Sequence, residues 1–420
     1  MSGRKNQQNF MRKAISVEEA TQIVLSNVHV MVKEELPIMQ SVGRFLAVEV
    51  VAPQPVPHFR RSGMDGYAVI SSDTSQATIK TPVTIKVVDN IPAGNVSQKV
   101  IKSGECARIM TGGAVPDGAD AVIKYEMTEE GGIDLDGVDT CRIKGAVTPE
   151  MNVSPIGIEV SEGEIILRTG IRIGPGEIAL LAMFGVATVQ VYRQPRVAII
   201  TTGAELLDVQ APLEPGKIRN SNGYMIAAAI MDYGGIPIML DRIPDDSELA
   251  RTQVMSALNT YDVVVTTGGV SVGDHDIIYD VTQTWDGDLK FNRLLMRPGS
   301  PTTYGLWNGK PLFALSGNPS ACFVGARLFL RPAIRGMMGA ELVPEQRMTA
   351  ILTEDYLKSD RSTRFVRGVL SSVDGMLQAA PVGLDMSSVT VSLRDANCLI
   401  CIPGSPNGYK KGTLVEVIQL

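Results

Sequence analysis

Between Tyr261 and Asp276 the chain reads YDVVVTTGGVSVGDHD. A run of valines and threonines without polar alternation predicts a strand buried on both faces, the pattern of a parallel sheet. The run enters Gly268-Gly269, then Ser271 and Gly273, then two carboxylates, Asp274 and Asp276, around a histidine. Glycines let a backbone approach a ligand closely. Open α/β sheets bind their ligands beyond the carboxyl ends of the strands, which is where these carboxylates are expected. Two later stretches share the design: MRPGSP at Met296–Pro301 and FALSGNPS at Phe313–Ser320.

Working outward, RVAIIT and IPIMLD read as further strands, with helices predicted over Asn220–Tyr233 (Ser221 as cap) and Asp246–Leu258. Strands that alternate with helices predict a doubly wound α/β domain over residues 191–336. Before it, residues 51–144 hold short apolar runs separated by Gly, Pro and Asp, as in a small β-rich domain. Residues 14–50 and 145–190 are assigned to an elongated mixed linker domain. It begins with a helix from Ser16 to about Val32, with Ser16 and Glu19 as a capping box. Residues 344–420 return to short strands, so a β-barrel-like domain is expected there. Residues 1–13 are polar and basic and read as a disordered tail without the apolar core of a secretory signal. The expected fold is thus multidomain, α/β plus β.

At 420 residues the chain exceeds what one core supports. The 44% hydrophobic and 20% charged content suits a soluble globular protein. A net charge of −6 leaves no basic excess for phosphate backbones, which argues against a nucleic-acid binder. No apolar run is long enough for a membrane span. Five scattered cysteines fit a reducing cytoplasm. Cys398 and Cys401 form a C-x-x-C inside an apolar strand pattern and read as buried thiols.

The strand ends carry the chemistry. TTGAEL at Thr201–Leu206, the Gly268-Gly269 loop and Ser316-Gly317-Asn318-Pro319-Ser320 would offer free N–H groups and hydroxyls to a phosphate or oxyanion. Glu205, Asp245, Asp274 and Asp276 map to the same edge, where clustered carboxylates beside a phosphate suggest Mg²⁺. Arg293 and Arg297 stand four apart and would share one face if their segment were a strand. Arg297, just before a Pro-Gly turn, is placed to hold an oxyanion. In the N-terminal half, HFRRSGMDGYAV places Asp65 in a tight turn, and CARIMTGGAVPDGADAV places Thr111 after an apolar strand.

Taken together, SGMDGYAV, ARIMTGGAVPDGADAV, TTGAELL, PGKIRNSN, TTGGVSVGDHD, MRPGSP, LSGNPSA and RFVRGVL resemble the molybdopterin molybdenumtransferase family, which includes bacterial MoeA and the gephyrin E-domain. Their order matches from about Ser16 to the end. The resemblance implies a cytoplasmic homodimer whose active site is shared between chains. It implies insertion of molybdate into adenylylated molybdopterin with Mg²⁺, releasing AMP. Expected partners are the molybdopterin adenylyltransferase and the molybdoenzymes that accept the cofactor. It carries catalytic roles onto Asp65, Thr111, Glu205, Asp245 and Asp276. Substrate contacts carry onto Arg293, Arg297, Ser300, the Ser316–Ser320 loop, Arg367 and Ser387. Many members have lysine where Ser300 stands, proline where Ser316 stands, and Asp, Ser or Thr where Ala204 stands. A non-catalytic scaffold and a tungstate-inserting sister activity are the alternatives. A dinucleotide-dependent oxidoreductase lacks its G-x-G-x-x-G after the Arg196–Thr201 run.

Overall fold

The computed structural model describes residues 13–243, 247–269, 281 and 286–420. The chain divides into two compact units: Met1–Ala47, Thr169–Pro175 and Thr188–Leu420 form one, Val48–Arg168 and Gly176–Ala187 the other. The stretch 145–190 is therefore divided between them.

The larger unit is built on a six-stranded sheet in the order Ile236–Met239, Arg196–Thr201, Val263–Thr267, Lys310–Leu315, Thr303–Trp307, Asp288–Phe291. The first four strands are parallel and the last two antiparallel. Both faces are covered, so alternate residues of one strand enter different cores. Val197, Ile199, Val263, Val265, Phe313 and Leu315 pack on one side with the helices Ser221–Tyr233 and Arg331–Met337. Ala198, Ile200, Val264, Leu312 and Ala314 pack on the other with the Ser247–Thr260 helix. This two-sided burial is why the Val263–Thr267 run shows no polar alternation.

The predicted helix after Ser16 forms over Val17–Leu25 and ends well before Val32. Ser16 caps it, its hydroxyl accepting from the Glu19 N–H at 3.1 Å. The continuation fails because residues 33–37 leave to pair with Thr188–Tyr192 as a two-stranded ribbon. The cap of the Ser221–Tyr233 helix is Asn220, whose side chain accepts from Gly223 N–H, rather than Ser221.

In the same unit, Thr363–Val373, Met376–Pro381, Met348–Leu352, Leu414–Gln419 and Cys398–Ile402 close on themselves, giving a five-stranded barrel. Cys398 and Cys401 lie on opposite faces of the last of these strands, in separate cores. Burial pushes their thiols up to about 11 and about 12, so they are inert packing groups.

The smaller unit centres on a second six-stranded sheet, ordered Ala121–Lys124, Gly66–Val69, Glu105–Ile109, Val83–Ile91, Asp139–Ile143, Thr128–Ile133. Among the described residues no helix is long and apolar enough to cross a membrane.

The Phe313 ring is fully buried and lies 4.9 Å from that of Tyr304. Phe313→Ala should cost about 3–5 kcal/mol of this domain's stability. Urea unfolding followed by tryptophan fluorescence, with Trp307 on the same sheet, measures the loss.

Candidate functional site

The register of the parallel strands brings three loops to one edge. Thr201 pairs with Thr267, and Thr267 with Leu315. Thr202-Gly203, Gly268-Gly269 and Ser316-Gly317 therefore leave the sheet side by side. Gly268 has φ +91°, and a Cβ there would meet the Thr202 carbonyl oxygen at 2.6 Å. Gly317 sits over it so closely that its own Cβ would fall 3.3 Å from the Gly268 Cα. Only glycine permits this approach.

Side chains fix the arrangement. Asn222, in the first turn of its helix, donates to Thr267 Oγ1 at 3.0 Å and to the Gly317 carbonyl at 2.9 Å. Thr267 in turn donates to the Ser316 carbonyl at 3.2 Å. The Ser316 hydroxyl accepts from Asn318 N–H at 3.2 Å, closing the last loop on itself. Sequence reasoning missed Asn222, because an asparagine at a helix start reads as a cap.

These loops line a groove of about 710 Å³, with Thr202, Glu205, Asn222, Gly268, Gly269, Ser316, Gly317, Asn318 and Pro319 in its wall. Two oxygens in that wall, Thr202 Oγ1 and Asn222 Oδ1, are buried and have no hydrogen-bond partner among the described residues. Beside the groove lies a cavity of about 440 Å³ lined by Arg293, Arg297, Ser300, Arg364, Asp385 and Ser387. Pro301, Ser316 and Asn318 belong to both walls, so the two spaces adjoin.

The arginine segment is not the continuous strand considered above. Asp288–Phe291 ends before Arg293, and only Met296–Arg297 is extended, paired with Thr363-Arg364 of the barrel. Both arginines are nevertheless exposed, as is Leu295 between them, while Leu294 and Met296 are buried. Arg297 Nε lies 3.1 Å from Asp360, which also holds Arg364 at 3.0 Å. Ser300 spends its hydroxyl on the Leu294 carbonyl at 2.8 Å.

Arg367 is buried and lines neither space. It donates to Ser320 Oγ, to the Leu384 carbonyl at 2.6 Å and to the Met386 carbonyl at 3.3 Å. Ser320, fully buried, also donates its N–H to the Ser387 carbonyl at 3.0 Å. The pair thus ties the Ser316–Ser320 loop to the 384–387 segment behind the cavity.

In the smaller unit Asp65 and Thr111 meet directly. The Asp65 carboxylate accepts from Thr111 N–H at 2.6 Å and from its hydroxyl at 2.7 Å. Those two bonds hold the carboxyl below its ordinary value and keep it ionised. Asp245, Ser271, Gly273, Asp274 and Asp276 lie outside the described residues.

A doubly wound domain with glycine loops at its carboxyl edge is thus joined to a barrel that supplies part of an arginine-lined cavity, and family models match the chain along its length. Residues 15–185 match the MoeA N-terminal region (domain I and II), 198–336 a probable molybdopterin binding domain, and 349–420 the MoeA C-terminal region (domain IV). The molybdopterin molybdenumtransferase of Bacillus subtilis (strain 168) is 42% identical over 409 residues, covering 97% of this chain and 95% of its own. That of Staphylococcus aureus (strain MRSA252) is 40% identical over 407 residues, covering 97% and 96%. The molybdopterin biosynthesis moeA protein of Pyrococcus horikoshii OT3 superposes with a TM-score of 0.83 at 30% identity, covering 97% of this chain and all of that one. The chain belongs to the MoeA, or molybdopterin molybdenumtransferase, family.

Asp385, in the cavity wall, gives a pH test. Burial alone would raise its carboxyl, but hydrogen bonds from Tyr356, Lys358 and Arg364 outweigh it and bring it to about 2. Its unfolded value is about 3.9. The stability it contributes is therefore present above pH ~4 and lost as pH falls through ~2. Asp385→Asn should be less stable than the parent at neutral pH, with the gap closing between pH ~4 and ~2. Acid-unfolding curves of the two proteins read this directly.

Proposed function

We propose that this protein inserts molybdate into adenylylated molybdopterin and releases AMP. The observation that carries the reading is the adjoining pair of spaces: a glycine-loop groove fit for a phosphate-bearing pterin, and beside it an arginine and serine cavity fit for an oxyanion. In this reading the N–H groups of the loops hold the pterin phosphate, and Arg297 with Ser387 receives molybdate, a dianion. Arg297 would then exchange Asp360 for the oxyanion, and Arg293 would add charge at the mouth. Arg367 and Ser320 would support the oxyanion cavity from behind.

The Mg²⁺ part of the proposal rests on Asp245, Asp274 and Asp276 by family resemblance. A hard cation held there would offset charge on the substrate phosphate. Glu205 stands on the groove wall as a further acid. Asp65, held ionised by Thr111, is proposed to act on the partner chain's groove in a homodimer. Molybdopterin adenylyltransferase would then supply the substrate, and molybdoenzymes would take the product.

The experiment mixes purified protein with adenylylated molybdopterin, Mg²⁺ and molybdate. It follows AMP release and reconstitution of a cofactor-free molybdoenzyme. Molybdate-dependent AMP release with active product is expected. Tight pterin binding without turnover would favour a scaffold, and turnover with tungstate alone the sister activity.

Asp65→Ala and Asp276→Ala should each abolish insertion with the fold intact, whereas mixed dimers carrying one change per chain should regain one working site. If such dimers stay inactive, the shared-site proposal fails. Arg297→Ala should weaken molybdate dependence more than pterin binding; equal losses in the two titrations would remove its oxyanion role.

A further inference from the structure

Asn222 carries an acceptor with no donor. Its amide orientation is fixed by chemistry: the Gly317 carbonyl can only accept, so the atom 2.9 Å from it is the NH₂ group. Oδ1 is then the opposite atom, and it is buried without a hydrogen-bond partner. Asn222 as a whole is 9% exposed and stands in the groove wall at the start of a thirteen-residue helix. A neighbour on the same wall, Thr202 Oγ1, is unpartnered too.

A buried acceptor left unmade is costly in a folded protein. The loop-tying task of this side chain uses only its NH₂ group and leaves the oxygen unmatched among the described residues. A bound donor would explain it. Sites built to pair with a ligand N–H discriminate strongly against analogues that lack it, because the protein atom is then left unpaired.

We propose that Asn222 is a specificity-determining residue whose Oδ1 accepts from the amino edge of the pterin ring. The class of ligand feature it reads is the 2-amino group of a 2-amino-4-oxo ring. This rests on the pterin reading of the groove. The NH₂ of Asn222 ties the two glycine loops together, while its oxygen tests the ring bound in the groove. Pterin identity and loop spacing are thus sensed by one side chain.

The test uses full-length protein and molybdopterin, with 6-hydroxymethylpterin and 6-hydroxymethyllumazine as competitors. The competitors share a skeleton, but lumazine presents a carbonyl where pterin has its amine. Displacement of molybdopterin is read by fluorescence. Wild type should favour the pterin by ~10-fold or more. Asn222→Ala should compress that preference to ~1-fold, mainly by losing pterin affinity. Asn222→Asp keeps an acceptor at the same place and should keep the preference, whatever it does to the loops. A merely structural role would weaken both competitors by the same factor in both variants, and that result overturns the inference. So does an Asp variant that discriminates no better than the Ala variant. Wild type that binds molybdopterin without preferring pterin defeats the role of Asn222 alone. Wild type that binds no molybdopterin defeats the groove reading, and this inference with it.

Discussion

The site depends on one close contact, Gly317 resting on Gly268 at the carboxyl edge of the parallel sheet. A Cβ on Gly268 would strike the Thr202 carbonyl and one on Gly317 would crowd Gly268, so the three loop backbones lie against one another. Hydrogen bonding converts this steric permission into a defined geometry. Asn222 reaches across to both loops, and Thr267 passes the connection to Ser316. Each strand behind them is buried on both faces, which fixes register, because a one-residue slip would exchange the two cores. The hydrophobic pattern of the strands therefore sets the position of the groove.

The adjoining cavity is organised by charge. Arg297 and Arg364 share Asp360, while Arg364, Lys358 and Tyr356 converge on Asp385. Arg364 is thus committed within the protein. Arg297 is held by a single carboxylate and is largely exposed, so it is the cation with more freedom to change partner. Ser300 and Ser316 serve here as local braces for their own loops.

Much of this was legible in the sequence because it follows from short-range rules. The uninterrupted valine and threonine run, the Ser16 cap and the glycine loops each obey local chemistry, and the barrel announces itself through closely spaced short strands. What escaped depends on residues distant in sequence. The Arg293–Arg297 segment takes its path from pairing with Thr363-Arg364, which no local periodicity reveals. Arg367 and Ser320 read as ligand groups, and their bond to one another, between residues 47 apart in the chain, has no local signal. The helix predicted to reach Val32 stops early because its continuation is recruited into a ribbon with residues far along the chain.

The pairing of Met296–Arg297 with the barrel has a consequence for how the molecule can be divided. By chain order these residues belong to the α/β domain; by hydrogen bonding they are an extra strand on the barrel. The arginine-lined cavity is therefore a seam rather than a possession of either part. A fragment ending before Met348 would keep the glycine loops but lose Ser388 and Thr390 from the groove wall; it would also strip Arg297 of Asp360, remove Arg364 and Ser387 from the cavity, and leave a bare strand edge open to other chains. The two halves of the chemistry are thus inseparable modules: a natural or engineered exchange of barrels would have to preserve the matching edge as well as the fold.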